Sequence, residues 1–246
     1  MDRIKIVVGN RFVNAGKLSG CISYGDWEKR TNIPSDHDEI YFPGQGLDAR
    51  QIREVTEIMP KSLQKSVPEI LATTVQTHKR AKQNILIADV ERVSDKIFSA
   101  RLIVQENNEL LLDHTTGFHL QGMLFLEASR QMSAAASALM GSDTNVYHVI
   151  QDIHAEYKSF AFPIETSLRM ELHSVTWSEE QKAVSGKIDF NQNGKTVVTT
   201  WGSFSAVDRD VLIEREARFA RISIDRQRRQ IKRQLIDDFD ERKKIA

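Results

Sequence analysis

The chain has 246 residues, 40% hydrophobic and 28% charged, which is enough to bury a core in one large domain or two small ones. Its 34 Lys+Arg balance 34 Asp+Glu, so no overall charge points to a nucleic-acid or membrane partner. The single cysteine, Cys21, excludes an internal disulfide and fits a reducing compartment. The apolar run before Gly9 is too short for a signal peptide, and no run approaches the ~18 residues of a membrane helix, so a cytoplasmic protein is expected.

Three zones are predicted along the chain. In the first, residues 1–73, Ile4–Val8 reads as a short buried strand, and residues 14–47 are rich in Gly, Asn, Asp and Pro and read as loops and turns. Within them, Phe42-Pro43-Gly44-Gln45-Gly46 reads as a turn before a helix. Asp48–Met59 has the helical spacing of Ile52, Val55 and Met59 and is stopped by Pro60, and Ser66–Leu71 is a candidate for a further helical turn.

The second zone, residues 74–207, is more regular. Asn84–Val93 and Lys96–Gln105 are candidate strands joined through Ser94 and Asp95. Gly122–Met140 is apolar around most of its circumference, which predicts a buried helix, with Gly141 placed to end it. Four more strands are expected at Val146–Lys158, Thr166–Trp177, Lys182–Asn191 and Lys195–Ala206. The last two flank Asn193-Gly194, a pair suited to the positive φ angles of a type I′ hairpin turn. Two strands, one buried helix and a run of antiparallel strands give an α+β chain in which a curled sheet wraps a central helix, the hotdog arrangement. The third zone, residues 208–246, reads as a charged helical tail: a basic cluster at Arg226–Arg233 precedes an acidic one at Asp237–Glu241. A solvated helix laced with ion pairs accounts for it, with a docking surface as the alternative.

Chemistry concentrates between Asp113 and Gln131. Two histidines, His114 and His119, precede the buried helix, and Glu127, Arg130 and Gln131 lie within it. A carboxylate on an apolar helix must be paired or hydrogen-bonded. Arg130 at i+3 and Gln131 at i+4 are placed to do this. One reading is an ion pair that only fixes packing. The other is a polar site at the mouth of an apolar tunnel, with His114 or His119 facing Glu127 as a proton-transfer partner. There is no Gly-x-Ser-x-Gly nucleophile elbow and no metal-ligand spacing.

These residues resemble the motif of the A-factor biosynthesis (AfsA-type) hotdog family. The matching positions are Asp113-His114, His119-Leu120-Gln121-Gly122-Met123 and Leu126-Glu127-Ala128-Ser129-Arg130-Gln131, with His78-Lys79 matching the opening of the family pattern. Gln121 stands where the family usually has Pro, and the loop between the two histidines is about one residue longer. The segment is distantly similar to β-hydroxyacyl-carrier-protein dehydratases as well. The resemblance implies an acyltransferase-like enzyme acting on a β-ketoacyl thioester. The group would be carried on the phosphopantetheine of an acyl carrier protein or on CoA, with no other cofactor. The acceptor would be the hydroxyl of a small, dihydroxyacetone-phosphate-like molecule, in γ-butyrolactone signal or secondary-metabolite synthesis. Dehydration or hydrolysis of the thioester, or acyl binding without catalysis, are the alternatives. Glu127, His114, His119 and Arg130 would carry the reaction; Asp113, Gly122, Met123, Ala128 and Gln131 would bind substrate, and the acyl chain would run along Ala128, Ala134 and Ala135. A homodimer is implied, because a single hotdog domain pairs to complete its site.

Overall fold

The computed structural model describes residues 4–31, 39–68, 71–112, 116–141, 145–177 and 181–245. The first zone is more ordered than its composition suggests. Three strands, β1 (Ile4–Val8), β2 (Cys21–Ser23) and β3 (Ile40–Pro43), form a small parallel sheet in the order β2-β1-β3. Helix α1 (Tyr24–Thr31) follows β2, and α2 (Ala49–Glu57) follows β3. The expectation of loops and turns over 14–47 is therefore corrected: Ile22, Tyr24, Trp27 and Tyr41 are buried with Val7, Leu47 and Val55 in a core of their own. Helix α2 begins where predicted, because the Asp48 side chain accepts from the Arg50 and Gln51 amides while Gln51 reaches back to the Asp48 amide. A short helical turn lies at α3 (Lys61–Gln64), directly after Pro60; of the turn expected over Ser66–Leu71, Ser66–Pro68 are not helical and residues 69–70 lie outside the described residues. Another short turn, α4 (Thr74–Thr77), leads into the larger sheet.

That sheet has six antiparallel strands: β4 (Ile87–Arg92), β5 (Ile97–Leu102), β6 (Val146–Tyr157), β7 (Ser167–Trp177), β8 (Gln181–Gln192) and β9 (Lys195–Asp208). Their order is β4-β5-β7-β8-β9-β6. Between β5 and β6 runs the central helix, α5 (Gly122–Leu139), whose Leu124, Phe125, Ala128, Met132, Ala135 and Ala136 are buried in the main core. Phe125 meets Phe190 of β8 edge to face, with ring centroids 5.0 Å apart. Asn193 and Gly194 adopt φ of 50° and 75°, so the β8–β9 hairpin turns as read from sequence. Gly141 takes φ of 81° just past α5. This is a hotdog fold, with an N-terminal unit beside it and a helical extension, α6 (Arg209–Ile245), after it. No helix among the described residues is long and apolar enough to cross a membrane.

One buried side chain, Gln45, helps to stitch the N-terminal unit to the hotdog sheet. Gln45, buried after β3, donates to the Leu102 carbonyl at 3.0 Å and accepts from the Val104 amide at 2.7 Å. The neighbouring Gly46 amide donates to the Val104 carbonyl. Gly9 packs so closely here that a Cβ would lie 1.6 Å from the Gly46 carbonyl oxygen. Replacing Gln45 by Leu strands a buried amide and a buried carbonyl, each worth about 1–3 kcal/mol. The Gln45→Leu protein is expected to be about 2–4 kcal/mol less stable in urea unfolding, on the same principle; a loss under about 0.5 kcal/mol would refute this stitching role.

Candidate active site

The site is built on the first half of α5. Glu127 sits there with its side chain 19% exposed. Arg130 grips it with two bonds, Nε to Oε2 at 2.9 Å and Nη2 to Oε1 at 2.8 Å. Lys79 Nζ lies 2.7 Å from Oε1, and Gln131 Nε2 donates to the same oxygen at 3.0 Å. The three α5 residues that sequence spacing paired are thus assembled.

The loop after α4 supplies the other half. Thr73 caps α4 in a reciprocal box with Gln76, and His78 ends it in the left-handed conformation, φ 53°. That turn aims the Thr77 carbonyl at Arg130 Nη2, 2.8 Å away, and brings Lys79 onto Glu127. Gln131, fully buried, completes the frame: its Oε1 accepts from the Leu86 amide at 2.8 Å and its Nε2 donates to the Asn84 carbonyl at 2.8 Å. His78 and Lys79 entered the sequence reading only as part of a family pattern; the structure brings them to the site itself.

The electrostatics follow from this geometry. Burial would raise the Glu127 carboxyl, but the bonds and charge of Arg130, then Lys79 and Gln131, reverse that and hold it at about 2. A second histidine, His148 on β6, was missed by sequence reasoning. Its ring lies 5.0 Å from His78 and 5.5 Å from Phe204. Burial, then His78 and Arg130, lower its pKa to about 4. His78 is lowered too, by burial and then by Arg130. The available signal was a histidine in an otherwise apolar stretch of strand, Tyr147-His148-Val149-Ile150.

Glu127 opens onto a cleft of about 320 Å³ whose walls include Lys79, Met123, Leu126, Arg130, Ile150 and Ile153. Met123, 57% exposed, forms its rim as an expected substrate contact could. The remaining sequence candidates lie elsewhere. Ala128, Ala134 and Ala135 are buried in the packed core and do not line this cleft. His119 does not meet Glu127 within the chain: it lines a separate cleft of about 390 Å³ with Gly122, Tyr157 and Phe160. There its ring lies 5.1 Å from that of Phe160, its Nδ1 lies 3.0 Å from Thr116 Oγ1, and the Tyr157 hydroxyl donates to the Gly122 carbonyl. Asp113 and His114 lie outside the described residues.

The A-factor biosynthesis hotdog domain model matches residues 63–208, more than half of the chain, and the chain belongs to that family. No curated protein matches it. Among solved structures it is similar to a thioesterase of Haemophilus influenzae, at 14% identity and a TM-score of 0.38, over 50% of this chain and 79% of that one. A mutant thioesterase of Pseudomonas aeruginosa gives 16% and 0.38, over 50% and 81%. One of Staphylococcus aureus gives 13% and 0.38, over 48% and 92%.

Glu127 and His148 both make stability fall on acidification, in separate windows. His148 is charged more easily unfolded than folded, so stability drops from about pH 6.5 to about pH 4. The depressed Glu127 contributes fully above about 4.5 and loses that contribution as pH falls towards about 2. In thermal unfolding across pH, His148→Gln is expected to flatten the upper window and Glu127→Gln the lower. Unchanged profiles in both variants would contradict the burial and pairing described.

Proposed function

We propose that the protein acts on an acyl group held as a thioester, on CoA or on the pantetheine of an acyl carrier protein, and passes it to a hydroxyl of a small acceptor. The observation that carries this reading is a cleft with an apolar rim and a polar floor of Glu127, Arg130 and Lys79, in a chain of the A-factor biosynthesis family. The apolar wall of Met123, Leu126, Ile150 and Ile153 suits an acyl chain near its β-keto end. The floor suits the polar end of the reaction. Glu127, with three donors on its carboxylate, is a fixed counter-ion that holds Arg130 and Lys79 in place. Backbone amides at the start of α5, where Gln121 provides no side-chain cap, would polarise a carbonyl. A dihydroxyacetone-phosphate-like acceptor in γ-butyrolactone synthesis is the specific reaction that this membership suggests.

A second copy of the chain is the proposed partner. Among the described residues β6 has β9 on one side and no strand on the other, and Tyr147, Val149, Ile150, Ile153 and Tyr157 are all exposed along it. A long apolar edge of this kind invites strand pairing unless covered.

With a β-ketoacyl thioester and a glycerol-type acceptor, the wild-type protein is expected to form ester, and Glu127→Ala to lose at least about 100-fold of that rate. Release of free acid alone would replace transfer by hydrolysis, and equal rates in both proteins would remove Glu127 from the reaction. Light scattering is expected to give a dimer, with Val149→Lys shifted to monomer, since a lysine on an edge strand opposes pairing. A wild-type monomer at high concentration would defeat the pairing.

A further inference from the structure

Arg130 borders a second opening. A narrow slot of about 40 Å³ runs between α5 and the sheet, lined by Ser129, Arg130, Ser133, His148, Ile150 and Thr200 among others. It shares Arg130, Ile150 and Ile153 with the Glu127 cleft, so the two adjoin. Size decides what can enter. A water needs roughly 10–15 Å³ of such space. The slot therefore admits a few oxygen-sized groups and excludes an acyl chain.

His148 stands out among its polar walls. Ser129 and Thr200 satisfy each other, with their hydroxyl oxygens 2.7 Å apart, and Ser129 also donates to the Phe125 carbonyl. His148 Nδ1 and Nε2 are both buried, and neither has a hydrogen-bond partner among the described residues. A neutral imidazole offers one donor and one acceptor, and buried groups of this kind are nearly always met. A hydroxyl, itself donor and acceptor, is the complement.

We propose that this slot receives the attacking hydroxyl and that His148 takes its proton. The inference rests on the acyl-thioester reading above. The hydroxyl oxygen bonds to the thioester carbonyl carbon in the adjoining cleft while its proton moves to the unprotonated ring nitrogen of His148. When the tetrahedral intermediate collapses, the C–S bond breaks and the departing sulfur takes that proton. Alcohol and thioester become ester and thiol; with water in the slot they become acid and thiol. The groups set against the imidazole favour its neutral form: Arg130 from α5, and His78 from the loop after α4, with the ring of Phe204 from β9 on a further side. Asp152, farther along β6, lines the same slot. Glu127 is a poor competitor as base, because its oxygens are already committed to Arg130, Lys79 and Gln131.

The test compares wild type, His148→Gln and Ser133→Leu, a variant that fills the slot and leaves the imidazole. With a β-ketoacyl thioester and glycerol, His148→Gln is expected to lower kcat about 100-fold or more, with KM for the thioester held within about 3-fold. The acid limb of wild-type kcat/KM should fall near the His148 value of about 4, not near the Glu127 value of about 2. A His148→Gln rate within about 5-fold of wild type would overturn the assignment, by the same measure. Turnover that depends on His148 but not on glycerol supports it with water as the nucleophile. If the wild type turns over no thioester, the acyl reading fails and the slot is judged separately. In 15N-histidine spectra, a His148 signal that shifts with glycerol in wild type but not in Ser133→Leu supports a hydroxyl site, and a silent signal overturns it.

Discussion

A carboxylate half-sunk in an apolar helix governs this structure. Glu127 cannot stay charged on α5 unless donors surround it, and those donors come from two places: Arg130 and Gln131 one turn along, and Lys79 from the loop after α4. Each of them also serves the chain elsewhere. Arg130 holds the Thr77 carbonyl, and Gln131 holds both the Asn84 carbonyl and the Leu86 amide at the entrance to β4. The network that charges the site is therefore the same one that fixes helix against sheet. Removing one member of such a partly buried set typically costs several kcal/mol, because the others are left uncompensated. Polarity in the core is tolerable here because every oxygen of Glu127 is met.

The hotdog half was legible because its signals are local. Asn193-Gly194 can adopt positive φ cheaply, the apolar circumference of Gly122–Leu139 demands burial, and two antiparallel strands need only a short turn to meet. Glu127, Arg130 and Gln131 were legible for the same reason, since helical spacing alone places them together. The first zone was legible only at Ile4–Val8 and Asp48–Met59. β1, β2 and β3 are short, and they pair in parallel across intervening segments, so nothing next to Cys21 or Ile40 in sequence announces its partner. The glycines and asparagines that suggested loops serve as joints for close packing, as Gly9 does against Gly46. His148 escaped on the same ground, and His78-Lys79 was visible only through the family pattern. Each reaches the site through tertiary packing: a left-handed turn in one case, a strand on the far edge of the sheet in the other.

Gln45 illustrates how the two halves are joined. Its pentapeptide reads as a simple turn, yet its amide imitates a strand, accepting and donating along the end of β5 where backbone partners run out. A side chain that satisfies two buried backbone groups lets an extra unit dock without leaving those two groups unpaired. The same joint reaches the hydrophobic core, because Val8 and Phe12 pack with the residues around α5.

β6 carries the most demanding assignment of any strand. It is the outer edge of the sheet and, at the same time, one wall of both openings beside Arg130. Strict alternation would turn Ile153 to the opposite face from Ile150, since side chains three apart in a strand point apart. The register shift between Ile150 and Asp152 inserts one extra residue against β9 and restores the phase. Ile150 and Ile153 then face the cleft together, with His148 two residues before the bulge on the same side as Ile150. A bulge also sharpens the local twist, which bends the strand around α5. The irregularity is thus what allows one edge strand to present His148 to the slot and an apolar wall to the cleft within six residues, and shifting it by a single position would exchange those faces.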